Sequence, residues 1–362
     1  MNPLKLQKLR NEMEQQQIEA LLITSQYNLR YITEFTGTAG LALLTPEKAF
    51  FITDFRYTEQ AGVQVKEFEV VQAKTNLLEE VAEIVQSLTL KTVSFEQDYM
   101  TYALYSQYKE KMNAEMKPVS GLIEKIRMFK TPEEIEVLKA AAKIADAAYE
   151  HICTFIRPGQ TELEISNELE FFMRSQGATS SSFDIIVASG TRSALPHGVA
   201  TDKRIEAGDM ITLDFGALYN GYISDITRTL AVGEPSDKLK EIYQVVLDAQ
   251  VLALENIKPG MTGIEADAIA RDYIKSKGYG EAFGHSTGHG IGLEVHEAPG
   301  LSSKSQTVLE PGMAVTVEPG IYLPGIGGVR IEDDIMITES GNERLTHSTK
   351  ELRILQVTEE IK

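Results

Sequence analysis

Apolar positions recur with two different periods along the first third of the chain. Leu4, Leu6, Leu9 and Met13 form a helical stripe, and Ala20-Leu-Leu-Ile-Thr24 is a short apolar run of the kind buried in a sheet. Residues 41–45 and 49–53 read as two further strands around the Pro46-Glu47 turn. Stretches near 76–87 and 101–112 read as helices, with a strand at 92–95 between them. This is the pattern of a small α/β domain, and it carries no catalytic constellation. Lys117-Pro-Val-Ser-Gly121 reads as a linker. Beyond it, Thr131-Pro-Glu-Glu134 is a capping box with proline at the first helical position, opening a long Ala-rich helix. The boundary is placed near residue 125, giving domains over 1–125 and 126–362.

The second part repeats itself. Ile156-Arg-Pro-Gly-Gln-Thr-Glu-Leu-Glu164 returns 101 residues later as Ile257-Lys-Pro-Gly-Met-Thr-Gly-Ile-Glu265. In both, Pro-Gly turns the chain and Thr161 or Thr262 caps a helix, with Glu164 or Glu265 three positions on. A second pair, 205–216 and 309–320, is offset by 104 and aligns Asp214 with Glu318. Two copies are too few for a solenoid. The expectation is one closed, pseudo-symmetric α/β domain with a carboxylate at matching points of its halves.

The polar residues inside these apolar strands are where chemistry is expected. Asn220-Gly221 between apolar runs is a strong signal for a two-residue hairpin loop. It pairs 219 with 222 and 214 with 227, so that Asp225 lies opposite Gly216, diagonal to Asp214 on one face. Diagonal Cβ atoms in a hairpin are roughly 7–8 Å apart. Two ionised acids at that spacing in apolar surroundings repel unless a cation lies between them. His285, His289 and His296, three of the six histidines, fall in one Gly-rich segment. Val315-Thr-Val-Glu-Pro-Gly320 ends a strand on Glu318, and residues 328–337 read as one strand with Arg330 and Glu332 on the same face by period two. One histidine with four carboxylates is a mixed N/O set suited to two divalent cations. A structural zinc is disfavoured, since the chain has one cysteine.

Charge narrows the partners. The formal net charge is −18, with 17 acids against 13 Lys+Arg in residues 1–125 and 36 against 22 in the rest. That balance argues against a nucleic-acid backbone or an anionic membrane surface. No apolar run reaches 18 residues, so no membrane-spanning helix is expected. The N-terminal segment has no apolar signal core, and lone Cys153 excludes an internal disulfide; the reading is a cytoplasmic protein with Cys153 buried in its helix. His347 reads as a surface residue.

The order Asp214, Asp225, His289, Glu318, Glu332 resembles that of the dinuclear metallopeptidases of the pita-bread fold. His285-Ser-Thr-Gly-His-Gly-Ile-Gly-Leu-Glu-Val-His-Glu297 and Gly328-Val-Arg-Ile-Glu-Asp333 are similar to segments of the proline-specific branch, prolidase and aminopeptidase P. The resemblance implies a creatinase-like N-terminal α/β domain followed by a pseudo-two-fold pita-bread catalytic domain. It also implies two divalent metal ions, manganese first, with cobalt, zinc or iron as alternatives. Asp214 would bind one metal, Asp225 and Glu332 would bridge both, and His289 with Glu318 would complete the second site. A hydroxide bridging the metals would attack, with Glu318 as general base and His296 polarising the scissile carbonyl. His197, in Leu195-Pro-His-Gly198, and His285 would line the substrate pocket, with Arg330 beside substrate and bridging acid; Tyr322 lies within reach of the site in sequence. Substrates would be short proline-containing peptides, and the protein a homodimer. The compact N-terminal domain slightly favours an Xaa-Pro dipeptidase over an Xaa-Pro aminopeptidase acting on longer peptides. A metal-free creatinase-type amidinohydrolase and a non-catalytic peptide-binding protein both fit poorly with five retained ligand positions. Methionine aminopeptidase fits poorly with so large an N-terminal domain.

Overall fold

The computed structural model describes residues 3–357, and the chain divides into two units, Met1–Arg127 and Met128–Lys362. The first unit runs α1 (Pro3–Gln15), β1 (Leu21–Ile23), α2 (Gln26–Thr33), β2 (Leu41–Leu44), β3 (Ala49–Thr53), α3 (Thr58–Gln64), β4 (Glu69–Gln72), α4 (Leu77–Ser87), β5 (Thr92–Glu96), α5 (Tyr102–Lys111), β6 (Glu115–Val119) and α6 (Leu122–Arg127). Its six strands form one sheet in the order β4-β3-β2-β1-β5-β6. The apolar runs β1, β2 and β3 are buried at every position, whereas the edge strands β4 and β6 have no fully buried residue. Strand β6 corrects the sequence reading, because it takes in most of the segment 117–121 assigned to a linker. Pro118 cannot donate to a ladder, and it sits on an edge strand, where that loss is tolerated.

The second unit begins with α7 (Pro132–Phe155) and α8 (Glu162–Ser175), then β7 (Ser180–Ser181), β8 (Ile186–Ser189), β9 (Met210–Phe215), β10 (Ala217–Tyr219), β11 (Tyr222–Ile223) and β12 (Ile226–Val232). Helices α9 (Asp237–Asn256) and α10 (Gly263–Ser276) follow. After them come β13 (Gly288–Gly290), β14 (Glu297–Leu301), β15 (Ala314–Val317), β16 (Gly320–Leu323), β17 (Gly327–Arg330), β18 (Asp333–Ile337), β19 (Asn342–Arg344) and β20 (Ile354–Leu355). The two larger sheets are β20-β12-β9-β8 and β14-β13-β15-β18-β19, with small ribbons β11-β10-β7 and β16-β17 beside them.

The sequence repeat is a repeat of structure. Both α8 and α10 open on a capping box, from Thr161 with Glu164 and from Thr262 with Glu265. Each cap residue also bridges to a later segment, Thr161 to Arg204 and Thr262 to Val308. Ile165, Leu169 and Met173 give α8 a buried stripe at helical spacing, matched on α10 by Ala266, Ala270 and Ile274. The first stripe packs in a core with β9 and β12, the second in a core with β15 and β18. Fully burying a side chain the size of Ile165, Leu169, Met173 or Ile274 contributes about 1.5–3 kcal/mol, and the smaller Ala266 and Ala270 let α10 pack closely, so each half has its own hydrophobic anchor.

Two local features set the site's geometry. Asn220 and Gly221 both have positive φ, as a type I′ loop requires, and the register runs Tyr219↔Tyr222 through Asp214↔Thr227. The predicted strand over 328–337 is instead two strands. β17 pairs with β16 and β18 with β15, and Ile331-Glu332 lies at the changeover. Cys153 is buried and His347 exposed.

Candidate metal centre

Asp214 is buried in β9, and Asp225 precedes β12 on the other arm of the same hairpin. The Asp225 backbone N–H donates to Asp334 Oδ2 at 2.8 Å, which ties the hairpin to β18. Glu332 reaches the hairpin as well. Its N–H donates to the Thr227 carbonyl at 3.0 Å, and Thr227 Oγ1 donates to Glu332 Oε2 at 2.6 Å. Arg228, fully buried, donates to the Glu332 carbonyl and holds the Asp333 carboxylate at 2.6 Å.

The second half supplies the nitrogen donor. Gly288 lies so close to the Thr316 carbonyl that a Cβ there would overlap it, which lets β13 lie against β15. The His289 N–H donates to Thr316 Oγ1 at 3.1 Å, and the Glu318 N–H donates to the Thr287 carbonyl at 2.7 Å. His289 Nδ1 faces the Gly290 carbonyl at 3.1 Å. A carbonyl can only accept, so Nδ1 carries the proton and Nε2 keeps its lone pair. That Nε2 lies 3.4 Å from Glu318 Oε1 and 3.8 Å from Asp225 Oδ2. Asp225, His289 and Glu332 each offer a ligand atom, and these atoms lie within 4.8 Å of one another.

The acids are not satisfied by protein alone. Asp214 Oδ1, Asp225 Oδ1 and Glu332 Oε1 are buried without a hydrogen-bond partner among the described residues. An unsatisfied buried polar atom costs about 1–3 kcal/mol, and more if charged. Burial, then repulsion from Glu332 and Asp214, pushes the Asp225 carboxyl well above its ordinary range. Burial, then Glu318 and Asp214, does the same to Glu332. Glu318 is pushed up to about 7, chiefly by burial; Arg330 opposes the rise and Asp214 adds to it. Divalent cations among these oxygens would satisfy the orphaned atoms and relieve the repulsion together, so the residues present fit such ions.

A polar chain backs the acids. Arg330 reaches Asp214 Oδ2 at 2.5 Å and the Tyr322 hydroxyl at 2.8 Å. Burial, then the Arg330 charge, lowers His285 to about 4, so its ring is neutral. With Nδ1 protonated toward the Ser286 carbonyl at 2.8 Å, His285 Nε2 accepts from Tyr322 at 2.9 Å. His285, Tyr322, Arg330 and Asp214 are thereby fixed in orientation relative to one another.

The second unit matches metallopeptidase family M24 over residues 136–339, and the first matches the creatinase/prolidase N-terminal domain over residues 5–129. The chain belongs to metallopeptidase family M24. It is similar to an Xaa-Pro dipeptidase of Pyrococcus furiosus, 44% identical over 96% of this chain and 99% of that one. Among solved structures it is similar to the Xaa-Pro dipeptidase from Bacillus anthracis, with a TM-score of 0.96 and 64% identity over 97% of this chain and 99% of that one. It is also similar to the X-Pro aminopeptidase from Thermotoga maritima, with a TM-score of 0.89 and 41% identity over 95% and 99%. Family M24 membership makes this a metallopeptidase with the mixed α/β architecture of solved prolidases, and among the described residues no helix is long and apolar enough to cross a membrane.

All nine residues singled out in the M24 chain line one cleft of ≈ 580 Å³: Asp214, Asp225, His289, Glu318 and Glu332 at its floor, with His197, His285, His296 and Arg330 around them. The His296 ring lies 4.4 Å from that of His289. Tyr322, marked as within reach, stands behind the wall between His285 and Arg330. Sequence reasoning passed over Thr227, although the hairpin register already placed it opposite Asp214. It also passed over Asp334, whose neighbour Asp333 drew no attention either, and Phe183-Asp184, which no periodicity marks.

Proposed function

We propose that this M24 peptidase is an Xaa-Pro dipeptidase, hydrolysing the bond between an N-terminal residue and proline. The observation that carries the reading is the meeting of Asp225, His289 and Glu332 within 4.8 Å in a cleft also lined by Asp214 and Glu318, with three buried oxygens left unpartnered. Asp214, Asp225, His289, Glu318 and Glu332 would hold two divalent ions, manganese by preference for so oxygen-rich a set. When bound, such ions lower the pKa of water and polarise a carbonyl oxygen.

The chain's own residues do the rest. Glu318 takes a proton from the attacking water and passes it to the proline nitrogen, which has no hydrogen of its own and must gain one to leave. His296, at the exposed end of the histidine pair, donates to the oxygen on which charge develops. Arg330 keeps Asp214 in place, and His197 and the neutral His285 face the substrate. The same reading takes the protein as a cytoplasmic homodimer, in keeping with one buried cysteine and a family-typical two-domain chain.

A paired assay tests this. Metal-stripped protein is offered leucyl-proline and leucyl-prolyl-glycine before and after manganese is restored. Manganese-dependent release of proline from the dipeptide alone is expected. Vigorous cleavage of the tripeptide would make it an aminopeptidase, as the Thermotoga protein is named, and silence on both would refute the proline-specific reading.

A further inference from the structure

Between the ribbon strand β7 and β8 the chain takes a detour at the cleft. The Ser182 N–H donates to the Gly216 carbonyl at 2.8 Å, and four residues later Ile186 pairs with Asp214. Three residues, 183–185, are thus set against the single residue Phe215. That is a bulge, and bulges beside active sites re-aim side chains. Ile185 turns back into the core, while Phe183 and Asp184 join the cleft lining.

Asp184 is unlike the other acids there. Its side chain is exposed, and its carboxylate makes no hydrogen bond or ion pair among the described residues. Asp214, Asp225, Glu318 and Glu332 are drawn into the centre. Arg330, the one Lys or Arg among the described residues lining the cleft, is buried against Asp214. No lysine or arginine lining the cleft is therefore placed to pair with Asp184. A substrate's α-ammonium sits one carbon from the scissile carbonyl, so it stays with that carbonyl among the buried acids. A cation meeting the exposed rim has to come from a longer side chain.

We propose that Asp184 is a specificity-determining residue, which favours substrates carrying lysine or arginine before proline. The inference rests on the Xaa-Pro reading above and adds the chemical class of the first residue. An ion pair at an exposed rim contributes little, so the preference should be roughly two- to fivefold, and added salt should erode it.

The test compares kcat/KM for lysyl-proline, norleucyl-proline and glutamyl-proline with the manganese-loaded wild type, Asp184→Asn and Asp184→Lys. The expected result is a lysyl-to-norleucyl ratio that falls roughly two- to fivefold in Asp184→Asn. In Asp184→Lys, glutamyl-proline should overtake lysyl-proline. If wild type cleaves these dipeptides and both substitutions leave the ratios in place, the assignment of Asp184 is overturned while the Xaa-Pro reading stands. If wild type cleaves none of them, both fall together.

Discussion

The fully buried ion pair of Arg228 and Asp333 gives the second unit a weak point of calculable size. Asp333 takes Arg228 at 2.6 Å, Lys350 at 2.7 Å, Gln250 at 3.0 Å and Thr346 at 3.0 Å. Burial would raise its carboxyl, yet Arg228 and Lys350 hold it below the ordinary range. Asp333→Asn keeps the shape and removes the charge, leaving fully buried Arg228, with Lys350 and Arg344 beside it, facing an amide. Removing one partner of such a pair costs about 3–5 kcal/mol. A domain of this size loses about 2–4 °C per kcal/mol, so its melting transition should fall by about 6–20 °C. Differential scanning calorimetry at fixed, saturating manganese reads this directly. Replacing both partners, Arg228→Met with Asp333→Leu, should not recover the loss, because Lys350, Gln250 and Thr346 would still be left without their acceptor. A shift under about 2 °C in Asp333→Asn would refute the claim that the buried Arg228–Asp333 pair carries this energy.

Metal-free protein should lose stability as the pH rises. Without ions the folded-state pKa of Glu318 lies near 7, above its unfolded value, so its stabilising contribution is full below about pH 4 and is lost as pH rises through 7. Metal-free protein should therefore melt lower at pH 8 than at pH 5, and the stabilisation gained on adding manganese should grow over the same interval. Tyr322→Phe removes the hydroxyl that joins Arg330 to His285, and should lower kcat/KM by about tenfold while bound manganese stays near two per chain. Gly288→Ala sets a methyl against the Thr316 carbonyl and should displace His289, which would be seen as weaker manganese binding in titration calorimetry. Thr161→Ala breaks one capping box and should cost about 1 kcal/mol without touching the metal, measured as a small drop in melting temperature.

The parts legible in the sequence are those fixed by local chemistry. Asn220-Gly221 permits one turn type, and the turn type sets which residues oppose one another as far as Asp214 and Thr227. Thr161 and Thr262 announce their helices because cap and counter-cap lie three residues apart. Helix α2 went unread for the opposite reason. Its Asn28 is held by Glu96 and Arg127, partners 68 and 99 residues away, which no local window contains. The strand over 328–337 was read as continuous because alternation persists across Ile331-Glu332. The change of pairing partner there depends on two different sheets, and only the folded chain brings them together. Asp184 was missed because a bulge has no period, and its presence depends on how Gly216 is paired across the sheet.

The repeated halves also order the protein's biosynthesis. Asp214 and Asp225 belong to the first half, while His289, Glu318 and Glu332 belong to the second, with Glu332 following Asp214 by 118 residues. At about 5–20 residues per second, roughly 6–24 s separate the two on the ribosome. During that interval the hairpin offers a pair of carboxylates with no histidine and no closing acid, a poor trap for any ion. On the proposed ligand set, a complete metal site therefore cannot form before the second half of the unit has been made.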